Sequence, residues 1–338
     1  MSAPLRLAFL GVTHPHARAW ADAAHENDET RIVTVHDPDA EAGERFASGY
    51  GAAACGSLED ALDGVDAVVV DGRNDEAAAF ATAGIEHRLP TFIEKTGART
   101  AAELADVASL AERMGVATQM GYFIRYSDAV VTAADAIARG RLGTISLARF
   151  HSAIPHQAWA TMGSWFADST NVVTPFMEAG CHLVDMVRHL LGEPTEPTAT
   201  TVRWDGTPSP GEDAIGTTMR CGDAVITIDF TAHEALPWNI SWGGEIFGTE
   251  ATLRFGVTPA RSSIRDSGSY ELVPRAAVDL RDGEQVQAEM SRENTELMRR
   301  GMRAFVDVVR GRAASPVDAR SGAQTLRLIE DVLAAARR

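Results

Sequence analysis

Short apolar runs alternate with helical patterns over the first 120 residues of the chain. The runs predict β-strands at Leu5–Leu10, Arg31–Val35, Ala67–Val70, Pro90–Ile93 and Val116–Met120. The segments between them predict helices at His16–Ala24, Ala40–Tyr50, Asp75–His87 and Thr100–Met114. Strands that alternate with helices indicate a parallel sheet with helices on both faces. We therefore expect residues 1–122 to form an α/β, doubly wound Rossmann domain that binds a dinucleotide beyond the carboxyl ends of its strands.

The pattern changes beyond this region, where one helix, Ser127–Arg139, precedes a series of strands. Apolar and polar residues alternate at Thr217–Arg220, Ala224–Ala232, Asn239–Phe247 and Ala251–Phe255. Such alternation predicts an open, mostly antiparallel sheet with one face on the core. Residues 256–290 are polar and predict irregular structure, and helices are expected at Asn294–Val309 and Gly322–Arg338. We expect residues 123–338 to form an α+β domain for substrate binding and oligomerisation.

The segment from Glu178 to Gly192 predicts an amphipathic helix with titratable groups on its polar face. Its apolar face carries Leu183, Met186, Val187 and Leu190, and its polar face carries Glu178, His182, Asp185 and His189. An acid one turn from an imidazole can hold that ring in one tautomer, as proton abstraction requires. The alternative is an ordinary solvated helix face.

The turn Gly11-Val-Thr13-His14-Pro-His16 joins the first strand to its helix and keeps only the first glycine of a Gly-x-Gly-x-x-Gly motif. The free N–H groups of the helix N-terminus can still bind phosphate. Asp37 follows the second strand and is placed to bind a ribose 2′-hydroxyl, although a turn residue before Pro38 is the alternative. No arginine follows Asp37, which favours NAD over NADP. The residues expected to bind the cofactor are Gly11, Thr13, His14, His16, Asp37, Asn74, Glu94 and Lys95.

Metal and macromolecular partners are disfavoured by composition. His14 and His16 form a His-x-His pair, but the sequence shows no third ligand nearby, so we expect no metal. The net charge of −16 argues against nucleic acid and anionic membranes, and leaves small molecules as partners. The three cysteines are far apart and odd in number, which fits a reducing cytoplasm, and we find no long apolar segment.

Several segments in register carry a family resemblance over nearly the whole chain. They are Asp66-Ala-Val-Val-Val through Glu94-Lys95-Thr96, Gly121-Tyr-Phe-Ile-Arg125-Tyr, Gly140-Arg-Leu-Gly143, the helix from Glu178 to Gly192, and Gly248-Thr-Glu-Ala-Thr-Leu. Together they resemble the glucose-fructose oxidoreductase and inositol dehydrogenase family, Gfo/Idh/MocA. The resemblance implies an NAD-dependent oxidoreductase with catalysis by Lys95, His182 and Glu178, and with Asp185 as a substrate contact.

Removal of a hydride from a carbinol carbon requires a base for the hydroxyl proton, and His182 or Lys95 can accept it. We further expect substrate contacts from Arg125, and from His156 and Trp159 in a region dense in aromatic and imidazole groups. A lid or an interface loop explains that region equally well. Glu178 replaces the family's usual aspartate, and Gly72-Arg73 replaces Thr-Pro. Asp71 and Arg73 lie near the expected nicotinamide side, and exposed loop charges are the favoured interpretation of both, with substrate or cofactor contacts as the alternative.

The favoured function is hydride transfer between NAD and a secondary hydroxyl or ketone of a sugar, cyclitol or related polyol. One alternative is glycosidic-bond cleavage that uses NAD with no net redox change. Another is a non-catalytic nucleotide-binding protein, which the altered glycine turn suggests. A metal enzyme is disfavoured, because the helix rises about 16 Å from Glu178 to His189, too far for one ion to bind the whole face. We expect a homodimer or homotetramer formed through the open sheet.

Overall fold

The computed structural model describes residues 3–155, 159, 164–167, 173–204, 211–234, 241–259, 272–280, 285–287 and 294–337. The chain divides into two compact units. The first contains residues 1–122 and 298–327, and the second contains residues 123–297 and 328–338. The expected boundary after residue 122 coincides with this division. The assignment of all C-terminal residues to the second domain was wrong, because residues 298–327 pack with the first unit.

The first unit is a six-stranded parallel sheet with helices between its strands. Its strands are β1 (Leu5–Leu10), β2 (Thr30–His36), β3 (Ala53–Ala54), β4 (Ala67–Val70), β5 (Thr91–Ile93) and β6 (Thr118–Met120). Its helices within residues 1–122 are α1 (Ala17–His25), α2 (Ala40–Tyr50), α3 (Leu58–Leu62), α4 (Asn74–Glu86) and α5 (Ala101–Met114). The strand order is β3-β2-β1-β4-β5-β6, and every pair is parallel. The predicted α/β fold class is therefore confirmed.

Local sequence explains the ends of these elements. All four residues of β4 are buried because helices cover both faces of the sheet. The side chains of Asp39, Ser57 and Thr100 accept hydrogen bonds from backbone N–H groups in the first turns of α2, α3 and α5. The strand order reverses between β1 and β4, so the loops after β1, β4 and β5 meet at one edge, where such sheets bind ligands.

The second unit is an eight-stranded, mostly antiparallel sheet. Its strands are β7 (Ile145–Pro155), β8 (Thr195–Val202), β9 (Ala214–Cys221), β10 (Ala224–Glu234), β11 (Ser241–Gly248), β12 (Ala251–Pro259), β13 (Leu272–Leu280) and β14 (Gln285–Gln287). The order is β14-β13-β12-β11-β7-β10-β9-β8, and β7 pairs in parallel with β10. The expected irregular structure over 256–290 was wrong, since β12 runs on to Pro259 and β13 and β14 follow. Pairing between strands, which is not visible in a local pattern, stabilises these segments as part of the sheet.

The remaining helical elements among the described residues are a 3₁₀ turn (Phe123–Tyr126), α6 (Asp128–Ala138), α7 (Ser164–Ala167), a π-helical turn (Phe176–Gly180), α8 (Cys181–Leu191), α9 (Asn294–Val309) and α10 (Ala319–Ala335). The expected single helix from Glu178 to Gly192 is thus a π-helical turn followed by α8. An alanine Cβ at position 180 would lie 2.2 Å from the Phe176 ring, which explains the glycine there. None of the helices in the described ranges is long and apolar enough to cross a membrane.

Candidate active site

The turn after β1 is built on a close approach of two backbones. Gly11 has a φ of +74°, and a Cβ there would lie 2.3 Å from the Cα of Gly72, which follows β4. Only glycine permits this conformation and this contact without strain. The buried hydroxyl of Thr13 has no hydrogen-bond partner among the described residues. A partnerless buried hydroxyl beside a glycine turn suits the polar groups of a dinucleotide.

Asp37 holds this turn from the end of β2. Its Oδ2 accepts a hydrogen bond from the Val12 N–H at 2.7 Å, and its Oδ1 accepts one from the Asp39 N–H at 2.8 Å. A carboxylate has about four acceptor sites, so both oxygens can still accept a ribose hydroxyl. The turn role and the ribose role of Asp37 are therefore compatible. Asn74, also expected to bind cofactor, is buried as the first residue of α4.

The sequence showed no arginine after Asp37, but the fold brings Arg73 into its electrostatic range. The Arg73 guanidinium donates to the Asp75 carboxylate at 3.0 and 2.8 Å and lies 3.2 Å from Glu76. The hydrogen bonds to Asp75, with the charges of Glu76 and Asp37, raise the pKa of Arg73. Its positive charge is therefore already compensated by carboxylates.

Glu94 follows β5 and organises one side of a buried cluster. Its Oε2 accepts a 2.6 Å hydrogen bond from the Trp20 indole N–H, and its Oε1 lies 2.8 Å from Nδ1 of His16. An alanine Cβ at Gly121 would lie 2.3 Å from Oε2, so glycine leaves room for this carboxylate. Burial opposes ionisation of Glu94, but His16, Lys95 and His14 outweigh it and lower the pKa of the carboxyl.

Lys95 lies beside Glu94, and its side chain is only 3% exposed. Its Nζ is 3.3 Å from Nε2 of His14 and 3.8 Å from Oε1 of Glu94. Lys95 is also the only lysine in the sequence; every other strongly basic residue is arginine. An amine can lose its proton in a protein interior, whereas a guanidinium cannot, so the single buried lysine suits acid–base chemistry.

Asp71 was expected to be an exposed loop charge, and that expectation was wrong. It follows β4 and is fully buried. Its Oδ1 lies 3.4 Å from Nδ1 of His14, and neither oxygen accepts a well-formed hydrogen bond from the described residues. Burial raises the pKa of the Asp71 carboxyl to about 7; Glu94 adds to the rise, and His14 and Lys95 oppose it. Sequence reasoning favoured exposure because an aspartate in a strand-end loop is normally solvated, and it offered a substrate or cofactor contact only as the alternative.

In the structure, Glu94 joins His14 and His16 as a third side chain that could bind a metal ion, although the sequence showed no third ligand near the two histidines. Donor atoms of His14, His16 and Glu94 lie within 4.8 Å of one another. However, the Lys95 amine approaches two of these three side chains, within 3.3 and 3.8 Å. An ammonium group there supplies the positive charge that a metal ion would bring, so the arrangement favours proton chemistry.

In the second unit, His182 lies at the start of α8 between two aromatic rings. The ring centroids of Phe123 and Trp242 are 4.8 and 5.9 Å from that of His182, both in edge-to-face geometry. Glu178, on the π-helical turn, is buried, as are His182 and Asp185, whereas His189 is exposed. The alternative of a solvated polar face is therefore excluded for three of the four titratable residues.

Asp185 and Arg125, both expected to bind substrate, form a buried ion pair. Nε and a terminal nitrogen of Arg125 each donate to one Asp185 oxygen at 2.6 Å. The side chains are 9% and 1% exposed, respectively. Such a two-pronged contact fixes both groups in one geometry.

Trp159 and His156, both expected to contact substrate, have different outcomes. Trp159 is buried, its indole N–H donates to the Ala232 carbonyl at 3.1 Å, and its ring stacks on Phe166 at 5.2 Å. These contacts favour a packing role over sugar stacking. His156 lies outside the described residues.

Comparison with known proteins defines the class. Residues 5–122 match the oxidoreductase family with an NAD-binding Rossmann fold, and residues 130–254 match the GFO/IDH/MocA C-terminal domain. Because these matches span well over half of the chain, the protein belongs to the GFO/IDH/MocA oxidoreductase family. The predicted family, enzyme class and nicotinamide cofactor, NAD, are thereby confirmed.

Among individual relatives, glucose-6-phosphate 3-dehydrogenase of Bacillus subtilis (strain 168) is 24% identical over 176 residues. The aligned region is 52% of this chain and 50% of the relative, so only about half of that protein's length is matched. An oxidoreductase of Agrobacterium radiobacter, in complex with NAD⁺, L-tartaric acid and magnesium, has a TM-score of 0.83 at 16% identity, covering 99% of this chain and 97% of that one.

The WlbA dehydrogenase from Bordetella pertussis, in complex with NADH and UDP-GlcNAcA, has a TM-score of 0.80 at 19% identity, with the same coverage of 99% and 97%. At these identities the structural likenesses establish the fold, and the substrate has to be inferred from the site.

Proposed function

We propose that the protein transfers a hydride between NAD and a secondary hydroxyl or ketone of a sugar, cyclitol or related polyol. The observation that carries this proposal is the chain's only lysine, buried at the carboxyl end of β5 between a carboxylate and an imidazole. The Bacillus relative acts on a sugar phosphate by name, which supports the substrate class.

Bound NAD⁺ supplies the hydride acceptor. Lys95 can act in either protonation state of Nζ. As an amine it accepts the proton of the substrate hydroxyl, and as an ammonium it stabilises negative charge on the substrate oxygen. We propose His182 as a second group for the substrate oxygen, oriented by Glu178 and held between its aromatic neighbours. Asp185, itself held by Arg125, is proposed to accept hydrogen bonds from substrate hydroxyls.

The experiment begins with a panel of sugars, sugar phosphates, sugar nucleotides and cyclitols, incubated with the protein and NAD⁺ or NADP⁺ and monitored for reduced nicotinamide. Lys95→Ala and Lys95→Arg are then compared with the active wild type. Both should lower kcat by about a hundred- to ten-thousand-fold with little change in NAD affinity. Lys95→Arg is the matched control for charge, because arginine keeps the cation but cannot act as a base.

The panel also separates the alternatives. Cleavage of a glycoside without accumulation of NADH would favour NAD-using bond cleavage. NAD binding with no turnover of any class of substrate would favour the non-catalytic function. Less than tenfold loss of kcat in both Lys95 variants would contradict the role of this residue.

We also propose that the chain forms a homodimer or homotetramer through the open face of its second sheet. Along β9, Ile215, Thr217 and Met219 are buried, whereas the residues between them are exposed. Val225 on the adjacent β10 is 45% exposed. An alternating face of this kind gains stability when a second subunit covers it. A monomer by light scattering at micromolar concentration would contradict this proposal.

A further inference from the structure

Asp71 is a buried acid beside the groups proposed to act on the substrate. It is fully buried, and its oxygens have no well-formed hydrogen bond among the described residues. A carboxyl in such a place is costly unless another group can supply a proton or a positive charge. The nearest such group is the His14 ring, with Nδ1 at 3.4 Å from Oδ1.

Each nitrogen of the His14 ring has a hydrogen-bond partner both when it carries a proton and when it does not. At Nδ1, the His16 backbone N–H can donate at 3.1 Å when the nitrogen is bare, and Asp71 can accept when it carries a proton. At Nε2, the Lys95 nitrogen at 3.3 Å can donate as an ammonium or accept as an amine. Neutral imidazole exchanges a donor and an acceptor between its two nitrogens when its tautomer changes.

We propose that Asp71, acting through the His14 ring, takes up the proton that Lys95 removes from the substrate. Asp71 and His14 are therefore positioning residues for Lys95. As the substrate O–H bond breaks, an N–H bond forms at Nζ of Lys95, and the hydride passes to NAD⁺. A proton then moves from Nζ to Nε2 of His14, while the proton on Nδ1 moves to Oδ1 of Asp71. Lys95 is left as an amine and Asp71 as a neutral acid.

The surrounding charges are consistent with this transfer. Burial and the like charge of Glu94 raise the pKa of Asp71, whereas His14 and Lys95 lower it, and the resulting pKa is about 7. Its proton affinity is therefore in the range where a proton can be taken up and released at neutral pH. His16 also faces this group of side chains: its ring centroid lies 4.9 Å from that of His14, and its Nδ1 lies 2.8 Å from Oε1 of Glu94. Burial lowers the pKa of His16, Glu94 opposes that change, and Lys95 and His14 add to it.

The sequence provides a direct test because Lys95 is the only lysine. Protein grown with lysine labelled by ¹³C at Cε gives one lysine resonance, whose chemical shift reports the charge at Nζ. We expect this resonance in the substrate-free wild type to show a titration step at about pH 7 that follows Asp71. Asp71→Asn should abolish the step. Asp66→Asn, which removes an exposed acid before the same strand, should preserve it.

The wild-type measurement by itself can overturn the proposal: no step between about pH 5 and about pH 9 would mean that Lys95 and Asp71 do not share a proton. The same step in folded Asp71→Asn would also refute it. If Asp71→Asn does not fold, His14→Gln replaces it, because an amide can bridge the two groups but does not relay a proton. The step should then be lost or shifted by more than about one pH unit.

The origin of the transferred proton rests on the proposed oxidoreductase function, whereas the lysine titration needs no substrate. Once a substrate is known, Asp71→Asn should lower kcat about tenfold, leave KM within about twofold, and remove the dependence of kcat on pH near 7. A titration step without any turnover would support the proton-sharing pair and contradict the proposed function. Turnover without the step would do the reverse.

Discussion

The burial of Asp71 makes a quantitative prediction about stability. The substitution Asp71→Asn removes a group whose pKa is raised by burial from 3.8 to about 7 in the folded chain. Between these values the folded protein keeps a proton that the unfolded chain releases. The contribution of Asp71 is therefore fully present below about pH 4 and is lost as the pH rises through about 7.

The size of the effect follows from the difference in pKa. Each unit corresponds to about 1.4 kcal/mol, so the shift of about three units is worth on the order of 4 kcal/mol in total. Over the practical range from about pH 5 to about pH 8, the change is about 3 kcal/mol. The variant has no carboxyl at position 71. Its free energy of unfolding, relative to the wild type, should therefore increase by about 3 kcal/mol across this range.

Urea unfolding followed by circular dichroism at several pH values measures this difference. The absolute stability of Asp71→Asn is not critical, because only the pH-dependent part of the difference reports the carboxyl. Asp66→Asn is the control and should show no comparable trend, since that side chain is exposed. A wild-type minus Asp71→Asn difference that is constant within about 1 kcal/mol would refute the reasoning.

Three further predictions follow from other parts of the structure. In thermal unfolding, Gly11→Ala should destabilise the fold by more than Gly140→Ala. Both glycines have positive φ, but only at position 11 would the new Cβ lie against backbone atoms. Equal losses of stability in the two variants would contradict this. Asp37→Ala should weaken NAD binding at least about tenfold by calorimetry, since the carboxylate anchors the turn; unchanged affinity would count against it. Asp185→Asn should lower the free energy of unfolding in urea by about 3 kcal/mol, because it breaks the buried ion pair with Arg125. A decrease of less than about 1 kcal/mol would contradict a buried ion pair at this position.

Much of the fold was predictable from local pattern. The bounds of β1, α2 and β4 were predicted to the residue, because short apolar runs and capped helices carry their own signals. The strands after residue 256 were not predicted, because β13 is defined by its pairing with β12 over nine residues, and a local pattern does not show pairing. Residues 298–327, which include most of α9 and the first half of α10, were assigned to the wrong unit for a related reason. An amphipathic pattern shows that one face of a helix is buried but does not show against which partner.

The sequence by itself determined the class of the protein and named Lys95, Glu94, His14 and His16 as site residues, since motifs at strand ends depend on spacing that a chain displays directly. Only the tertiary structure decided which of these groups lie in contact with one another and with Asp71. Asp71, His14 and Lys95 follow three different strands, and their 3.3 and 3.4 Å contacts arise where a parallel sheet brings those strand ends together. The burial that moves the pKa of Asp71 toward neutrality is likewise a property of packing, because removal from water is what makes its charge costly.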